Sequence, residues 1–432
     1  DDRVAGLSLL VLASMPSLHL LASWAYTDFT LAYFCLAVLF SLTGWRRAQG
    51  RTALPWLLLA ASNAGMAMGV KYTSFILPIS AVLLLFWWGR HQLRRAWRPV
   101  LLFSLVALLI ASPWYLRNLF QTGNPVYPFV FGGQNWDTFR AAMYADAGTG
   151  IGWDAVEILL LPFNATLGHR DANFYDGRLG PLFLLLAPLT LWVLWDAPRR
   201  PAAQRQTLFV ITVFSGLSLL IWVLGVVTSS ALWQTRLLFP ALLPLALPTA
   251  LGFLVATRLD TSHLRLSFIL NFAVLAVVSL TLIDAGIGVI RRNPLAYATG
   301  LETRAAYLGR VQPAHAEGMA LLDQTPPDAK IYFLYEPRTY YAARLSQPDP
   351  ILDNFLHDLY LYQDAAGVLQ AWRAQGYTHL LLYQNGLDFM IENRPDLYPL
   401  EDQEVIAQVL RALDWQASSS SQAYQLYRLP AK

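Results

Sequence analysis

Residues 112–129, with the sequence SPWYLRNLFQTGNPVYPF, indicate the fold class, because they close one long apolar segment and open the longest polar interval between two such segments. Arg117 and Asn118 stand where the chain would leave the hydrocarbon of a membrane, and aromatic residues flank them. The three prolines of the stretch predict that a simple helix does not continue through it. A loop rich in aromatic residues, Pro, Gly and charge is a candidate site as well as a connection.

The composition is that of a membrane protein. Hydrophobic residues make up 56% and charged residues only 14% of the 432 residues, which is too apolar for an ordinary soluble protein. Up to Arg292 the sequence has 21 Lys and Arg against 12 Asp and Glu, and after it 10 against 16. This change predicts a transmembrane domain over 1–292 and a soluble domain over 293–432. The net charge of +3 gives no indication of nucleic acid, and no nucleic-acid partner is expected.

Nine apolar segments are long enough to cross about 30 Å of hydrocarbon as helices. They lie at 4–23, 29–45, 53–70, 75–89, 99–115, 181–196, 207–227, 237–257 and 266–288. Arginines cluster after the second, fourth, sixth and eighth segments, so those loops are expected in the cytoplasm. The turns at Asp28, Lys71 and Arg236, an outer loop over 116–180 and the C-terminal domain are then expected on the outer face. The predicted fold is an α-helical multispanning membrane bundle with a small extracytoplasmic α/β domain.

The polar parts of the sequence carry weaker signals. The C-terminal pattern predicts helices at 301–323, 364–375 and 402–413 and strands at 329–335, 377–383 and 423–429. Within the outer loop, residues 154–163 are too short to span a membrane and predict an interfacial helix. The sequence shows no Gly-rich phosphate loop and no metal-ligand spacing, and its single cysteine, Cys35, excludes a disulfide framework.

Isolated charges near membrane depth are costly and usually have a reason. Asp28 is either a structural residue at the N-cap of the second span, where Thr27 or Asp28 could satisfy the first amides, or a functional carboxylate. Lys71 has no acidic residue within helical reach, so it either extends to the interface or meets an anionic ligand such as a phosphate. Arg117 and Arg236 are either interface anchors or further contacts to the same anion. Their common face favours an anion site.

The order of these motifs resembles the GT-C superfamily of bacterial membrane glycosyltransferases, which includes protein mannosyltransferases and aminoarabinose transferases. The resemblance rests on five stretches spread over most of the chain, which are 26–32, 69–73, 113–118 with 123–128, 180–184 and 235–242. It implies inverting transfer of a sugar from a polyprenyl-phosphate carrier to a lipid, glycan or protein acceptor. The reaction would take place at the outer face of the bacterial inner membrane.

The resemblance also implies roles for particular residues. Asp28 would be catalytic, Lys71 and Arg236 would contact the phosphate, and the loop 116–180 would cover the substrate. The remaining substrate-binding residues predicted in that loop are Arg117, Asn118, Tyr127, His169, Arg170 and Asp171. A divalent metal ion occurs in some relatives and is the one cofactor expected. Because the family carries its main catalytic carboxylate in an earlier outer loop, two spans and that residue are expected before Asp1.

Two other classes of function stay open. A flippase or transporter for a lipid-linked sugar should have broken helices and charges at the membrane midplane, whereas these charges lie at the outer ends of spans. A non-catalytic membrane scaffold with an outer binding domain would not need isolated cations at the rim of the bundle.

Overall fold

A computed structural model describes residues 2–167 and 179–430. The chain divides into two compact units. The first, called the transmembrane unit, comprises Asp1–Asn135 and Ala145–Gly288. The second, called the α/β unit, comprises Trp136–Tyr144 and Val289–Lys432. A short segment from inside the predicted outer loop therefore packs with the C-terminal part of the chain.

Helices dominate the structure. In chain order the described helices are α1 (Asp2–Ala13), α2 (Pro16–Ser23), α3 (Asp28–Arg47), α4 (Ala53–Val70), α5 (Ile76–Gly89), α6 (Leu93–Thr122), α7 (Thr138–Ala145), α8 (Ala155–Leu167), α9 (Pro181–Leu185), α10 (Ala187–Trp195), α11 (Ala202–Thr228), α12 (Phe239–Ala256), α13 (Leu266–Arg292), α14 (Pro294–Ala298), α15 (Arg304–Val311), α16 (Pro313–Leu321), α17 (Asn354–Tyr362), α18 (Ala365–Ala374), α19 (Gln384–Asn393) and α20 (Leu400–Arg411).

The number of membrane-spanning helices differs from the prediction of nine. In the described part of the chain seven helices are long and apolar enough to cross a membrane, or eight if the bent pair α1–α2 is one span. The axes of α1 and α2 differ by 74° across a break that precedes Pro16. The predicted span 181–196 is also broken, into α9 and α10. Pro188 lies in the first turn of α10 and has no N–H with which to continue the preceding helix.

The helix α6 continues through Pro113 to Thr122. The first of the three prolines therefore does not interrupt the helix as predicted, whereas the helix does end within the stretch, before Pro125 and Pro128. Proline is tolerated inside membrane helices because neighbouring groups satisfy the carbonyl that it leaves without a donor. The helix ends at Gly123, where φ is +78°. Glycine adopts this left-handed conformation without a steric penalty, so it is the residue that stops the helix.

The core of the transmembrane unit is built from closely packed helices. Between α3, α4 and α6 lie the fully buried alanines Ala60, Ala61 and Ala64. At Gly65 a Cβ atom would lie 2.5 Å from the carbonyl oxygen of Ala107, so any larger residue would push α4 away from α6. Small residues at helix interfaces in membranes permit this close approach. A second core joins α2, α8, α11 and α12, and it holds α8, the helix found where an interfacial helix was predicted.

The α/β unit contains a mixed sheet. Its five described strands are β1 (Lys330–Leu334), β2 (Leu345–Gln347), β3 (His379–Tyr383), β4 (Asp414–Ser418) and β5 (Tyr424–Arg428), in the order β2-β1-β3-β5-β4. The strand β1 is parallel to β2 and β3, and β5 is antiparallel to β3 and β4. The buried side chains of Trp372, Phe355 and Leu380 lie in its main core.

Three of these strands and two helices lie where the sequence predicts them, namely β1, β3, β5, α18 and α20. The predicted helix 301–323 is divided into α15 and α16 because Pro313 cannot continue the first of them. The prediction missed β2, α17, β4 and α19. The strand β2 has three residues, which is too short for a hydrophobic period to be recognised.

Candidate functional site

Polar side chains meet at one end of the helix bundle, where α3 begins and α4 and α6 end. Lys71 directly follows α4, and its Nζ lies 3.0 Å from Oδ1 of Asp28, the first residue of α3. The next residue, Tyr72, donates its hydroxyl hydrogen to the carbonyl oxygen of Tyr127 at 2.7 Å. The Tyr72 hydroxyl also accepts a hydrogen bond from Nδ2 of Asn118 at 3.1 Å. These five residues are called the rim cluster below.

Residues of the stretch 112–129 position this cluster. The hydroxyl of Tyr115 donates to the carbonyl oxygen of Met68 at 2.9 Å, which satisfies one of the open carbonyls in the last turn of α4. Lys71 is extended, with φ −161° and ψ 142°, so the chain turns sharply there and directs its side chain towards α3. The end of α6 therefore fixes the place at which α4 ends and the ammonium group emerges.

The ion pair between Asp28 and Lys71 is unequally buried. The side chain of Asp28 is 4% exposed and that of Lys71 is 26% exposed. The carboxylate lies in the first turn of α3, where the helix dipole favours negative charge. The N-cap residue Thr27 makes no side-chain capping bond, so within the described contacts Asp28 is held by Lys71, and the capping interpretation is not supported.

Lys71 keeps donor capacity for a ligand. An ammonium group has three N–H donors, and Asp28 accepts from one of them. The partly exposed side of this ammonium group can therefore meet an anion while the buried carboxylate holds it in place. Sequence reasoning identified Lys71 as an isolated cation but missed Tyr72 and Tyr115. The available signal was that both tyrosines lie within the quoted motifs, Tyr72 in 69–73 directly after the lone lysine and Tyr115 in 113–118.

The other two predicted cations each contact an aromatic ring and a glutamine side chain. Arg236 stacks on Tyr26, with Cζ 4.3 Å from the ring centre, and its Nη2 donates to Oε1 of Gln234 at 2.6 Å. Since Tyr26 belongs to the turn that leads into α3, Arg236 lies beside the same turn as Asp28.

Arg117 is directed along its own helix. Its Nε donates to Oε1 of Gln121 at 3.2 Å, and its Cζ lies 5.8 Å from the ring centre of Trp114. Three further predicted substrate-binding residues, His169, Arg170 and Asp171, lie outside the described residues. Their roles stay predictions, as do those of the other site residues.

The described residues do not supply a metal site. Within 2–167 and 179–430, no group of three or more His, Cys, Asp or Glu side chains is arranged to hold a metal ion. Asp28 has an ammonium group as its neighbour, which disfavours a second cation at the same carboxylate. The rim cluster as described therefore does not fit a divalent metal.

Comparison with known proteins bears on the fold. No curated protein sequence matches the chain, whereas residues 3–153 match a family described as a domain of unknown function, DUF8201. The crystal structure of ArnT from Cupriavidus metallidurans bound to undecaprenyl phosphate is similar, with a TM-score of 0.54 and 15% identity. The likeness covers 100% of this chain and 79% of that one. For ArnT in the apo state the TM-score is 0.51 and the identity 16%, over 99% and 79% of the two chains.

The chain has the fold of ArnT. This likeness confirms the predicted fold class, a multispanning helical bundle with a small C-terminal α/β unit. The long apolar helices and this fold together make the chain an integral membrane protein.

Proposed function

We propose that this protein transfers a sugar from a polyprenyl-phosphate carrier to an acceptor at the outer face of the bacterial inner membrane. The fold supports the proposal, because ArnT with the same fold has a structure bound to undecaprenyl phosphate. One observation carries it, which is the Lys71 ammonium group held by the buried Asp28 carboxylate at the end of the bundle. A lipid carrier has an anionic head group and an apolar tail. A fixed cation at the end of apolar helices suits both, because the cation can contact the head group while the tail lies along the helices.

In this proposal Lys71 binds the phosphate of the carrier. The acceptor hydroxyl or amine attacks the anomeric carbon of the sugar, and the bond from that carbon to the phosphate oxygen breaks with inversion. The electron pair of this bond goes to the leaving polyprenyl phosphate, whose growing charge the ammonium group stabilises. A carboxylate acting as general base takes the acceptor proton.

Asp28 contributes by positioning Lys71. Its carboxylate accepts a hydrogen bond from Nζ at 3.0 Å and is closed off from solvent, so it orients the ammonium group before the substrate arrives. A preoriented cation stabilises developing charge without reorganisation. The proposal includes three further predictions, which are a direct catalytic role for Asp28, an outer location of the α/β unit and a divalent metal ion. The metal would need ligands beyond the described residues.

Labelled carrier separates the three classes of function. The protein would be reconstituted in vesicles that contain a polyprenyl-phosphate sugar with a radiolabelled sugar, and an extract of cell-envelope lipids and glycans would be added as acceptor. We expect label to leave the carrier lipid and appear in the acceptor fraction. Label that crosses the vesicle membrane still attached to the carrier would indicate a flippase. Label that stays on the carrier in its original leaflet would indicate a scaffold.

A further inference from the structure

The strand order of the α/β unit places a topological switch point, called the crevice below, at the carboxyl ends of β1 and β3, where open sheets bind ligands. In the strand order β2-β1-β3, β1 lies between two parallel neighbours, and the chain leaves it on one side and returns on the other. The carboxyl ends of β1 and β3 therefore lie at a topological switch point. Ligands of open α/β sheets bind outside the strands at such points.

At this crevice a half-exposed arginine forms an ion pair with a buried glutamate. Glu336 follows β1 and has no exposed surface. Its Oε2 accepts from Nη2 of Arg338 at 2.7 Å, and the Tyr424 hydroxyl also donates to it. The Arg338 side chain is 47% exposed and its Cζ lies 5.9 Å from the ring centre of Tyr383, the last residue of β3. The buried carboxylate thus fixes the direction of a guanidinium group that solvent can reach.

A row of aromatic rings leads from the crevice to the surface. Tyr383 stacks on Tyr424 with ring centres 4.6 Å apart, and the row continues through His315 to Tyr341 in two steps of 6.3 Å. Tyr341 contacts Tyr340 at 5.0 Å, edge to face. Tyr340 is 83% exposed and Tyr341 is 39% exposed, so solvent reaches the outer two rings of the row.

A second arginine accompanies the exposed rings. Cζ of Arg304 lies 4.5 Å from the ring centre of Tyr341 and 5.6 Å from that of Tyr340. Exposed aromatic faces next to fixed hydrogen-bond donors are typical of recognition surfaces, where a few polar groups orient a ligand against an aromatic wall.

The chemistry of this surface favours a sugar ring. The C–H face of a pyranose packs flat on a tyrosine ring, and guanidinium groups donate to its hydroxyl or carboxylate oxygens. A nucleotide would also stack, and arginines can contact phosphate, but the backbone amides that usually cradle its phosphates belong to a glycine-rich loop. The loop 335–344 that follows β1 contains no glycine.

We propose that the crevice and its exposed tyrosines form a saccharide-binding site, called the tyrosine edge, made of Arg304, Arg338, Tyr340, Tyr341 and Tyr383. The proposal deepens the proposed function and rests on it in one respect, since it assigns the acceptor of the transfer to the class of carbohydrates. The tyrosine edge holds the acceptor glycan by stacking and by hydrogen bonds from its two arginines.

Binding of free glycans tests the site without the transfer reaction. The purified full chain in detergent would be applied, without carrier lipid, to an array of immobilised neutral and uronic-acid-containing oligosaccharides. We expect retention on at least one glycan class, and a decrease of at least tenfold for Tyr340→Ala. Trp415→Ala serves as the matched control, because Trp415 is another exposed aromatic residue of the α/β unit, on β4, and is 59% exposed. It should retain the glycan as the wild type does.

The outcomes distinguish this proposal from the transferase. Absence of retention of the wild type on every glycan would overturn the tyrosine edge, even if the carrier assay shows transfer. Equal decreases of glycan retention in Tyr340→Ala and Trp415→Ala would also overturn the tyrosine edge. Loss of glycan retention in Tyr340→Ala but not in Trp415→Ala supports the saccharide site even if the carrier assay shows no transfer. In that case the proposed transferase activity is contradicted and the saccharide site is not.

Discussion

The Asp28 carboxylate and the Lys71 ammonium group each compensate the charge of the other in the folded protein. Removal of one partner from a buried pair leaves an uncompensated charge, which costs about 3–5 kcal/mol when both groups are buried. Since the Lys71 side chain is 26% exposed, the lower end of this range applies. The sequence separates the two residues by 43 positions, which explains why no local rule predicted their contact.

A double-mutant cycle measures this dependence. We expect Lys71→Met to lower the free energy of unfolding by about 3 kcal/mol, and much less in the background of Asp28→Asn, where no buried charge is left unpaired. The measurement is denaturant unfolding in detergent, with an expected coupling energy of about 1–3 kcal/mol. Arg199→Met is the control, because that side chain is 67% exposed. Additive effects of the two substitutions would contradict a direct ion pair.

Glu336 gives the α/β unit a defined sensitivity to acid. Burial by itself would raise the pKa of this carboxyl, but hydrogen bonds from His315, Arg338 and Tyr424 outweigh burial and lower the pKa from 4.5 to about 2. A pKa that is lower in the folded state stabilises the protein above the unfolded value. This contribution is therefore complete above pH 4.5 and is lost as the pH falls towards 2.

Glu336→Gln should remove that contribution. A shift of this size corresponds to about 3 kcal/mol at neutral pH, so the variant should be less stable than the wild type at pH 7 and nearly equal to it near pH 2. Denaturant unfolding at a series of pH values checks this. Glu404→Gln, in an exposed pair with Arg411, should leave the pH profile unchanged. A wild-type stability that does not change between pH 4.5 and 2 would contradict the assignment.

At the scale of elements, the helix α7 is fastened to α17 within the α/β unit. Arg140 holds Asp353 through two hydrogen bonds, of 2.7 Å from Nε and 3.2 Å from Nη2. Nε2 of His357 lies 2.8 Å from Oδ2 of Asp137, and Phe139 stacks on Tyr360 with ring centres 4.7 Å apart. A segment of the predicted substrate loop is thus anchored by charge and by stacking.

Arg140→Ala should release this segment. The substitution leaves the fully buried Asp353 side chain without its cation, at a cost of about 3 kcal/mol. We expect amide hydrogen exchange over 136–144 to become at least tenfold faster. Arg411→Ala, which removes an exposed ion pair, should leave exchange in this segment unchanged. Unaltered exchange in Arg140→Ala would show that the contact between Asp137 and His357 and the stacking of Phe139 hold α7 without Arg140.

Elements with strong local signals were predictable from the sequence. Gly376, with φ +82°, ends the region of α18 because only glycine adopts this conformation readily, and the apolar runs of β1 and β3 identify buried strands. The continuation of α6 through Pro113 was not predictable, because it depends on neighbouring helices that satisfy its carbonyl groups. The anchoring of α7 was not predictable either, since Arg140 and Asp353 are 213 positions apart.

At the scale of the transmembrane unit, the two ends of α3 differ in chemistry. Asp28 of the rim cluster is its first residue, and its last turn carries Arg46 and Arg47, about 30 Å away along a helix of 20 residues. Near that far end Arg46 lies over Trp88, with Cζ 5.9 Å from the ring centre, and Arg90 lies over Trp87 at 4.0 Å. Arginine and tryptophan together are typical of a membrane interface, so the polar cluster and the basic interface lie at opposite ends.

Undecaprenyl phosphate should stabilise the folded protein as a whole. A ligand that binds only the folded state at 100 times its Kd adds about 2.7 kcal/mol to the free energy of unfolding, which raises Tm. Thermal unfolding with increasing undecaprenyl phosphate checks this, and undecaprenol without phosphate is the matched control. Equal stabilisation by the two lipids would contradict recognition of the phosphate by a cation.

In the proposed reaction Lys71 serves sugar transfer by binding the phosphate of the carrier. The most direct measurement is the initial rate at which label leaves a polyprenyl-phosphate sugar in the presence of wild type, Lys71→Ala and Arg199→Ala, each checked for folding. We expect a loss of at least about 100-fold for Lys71→Ala, the size found when a donor to a developing charge is removed, and an unchanged rate for Arg199→Ala. Turnover by Lys71→Ala at the wild-type rate would contradict the claim.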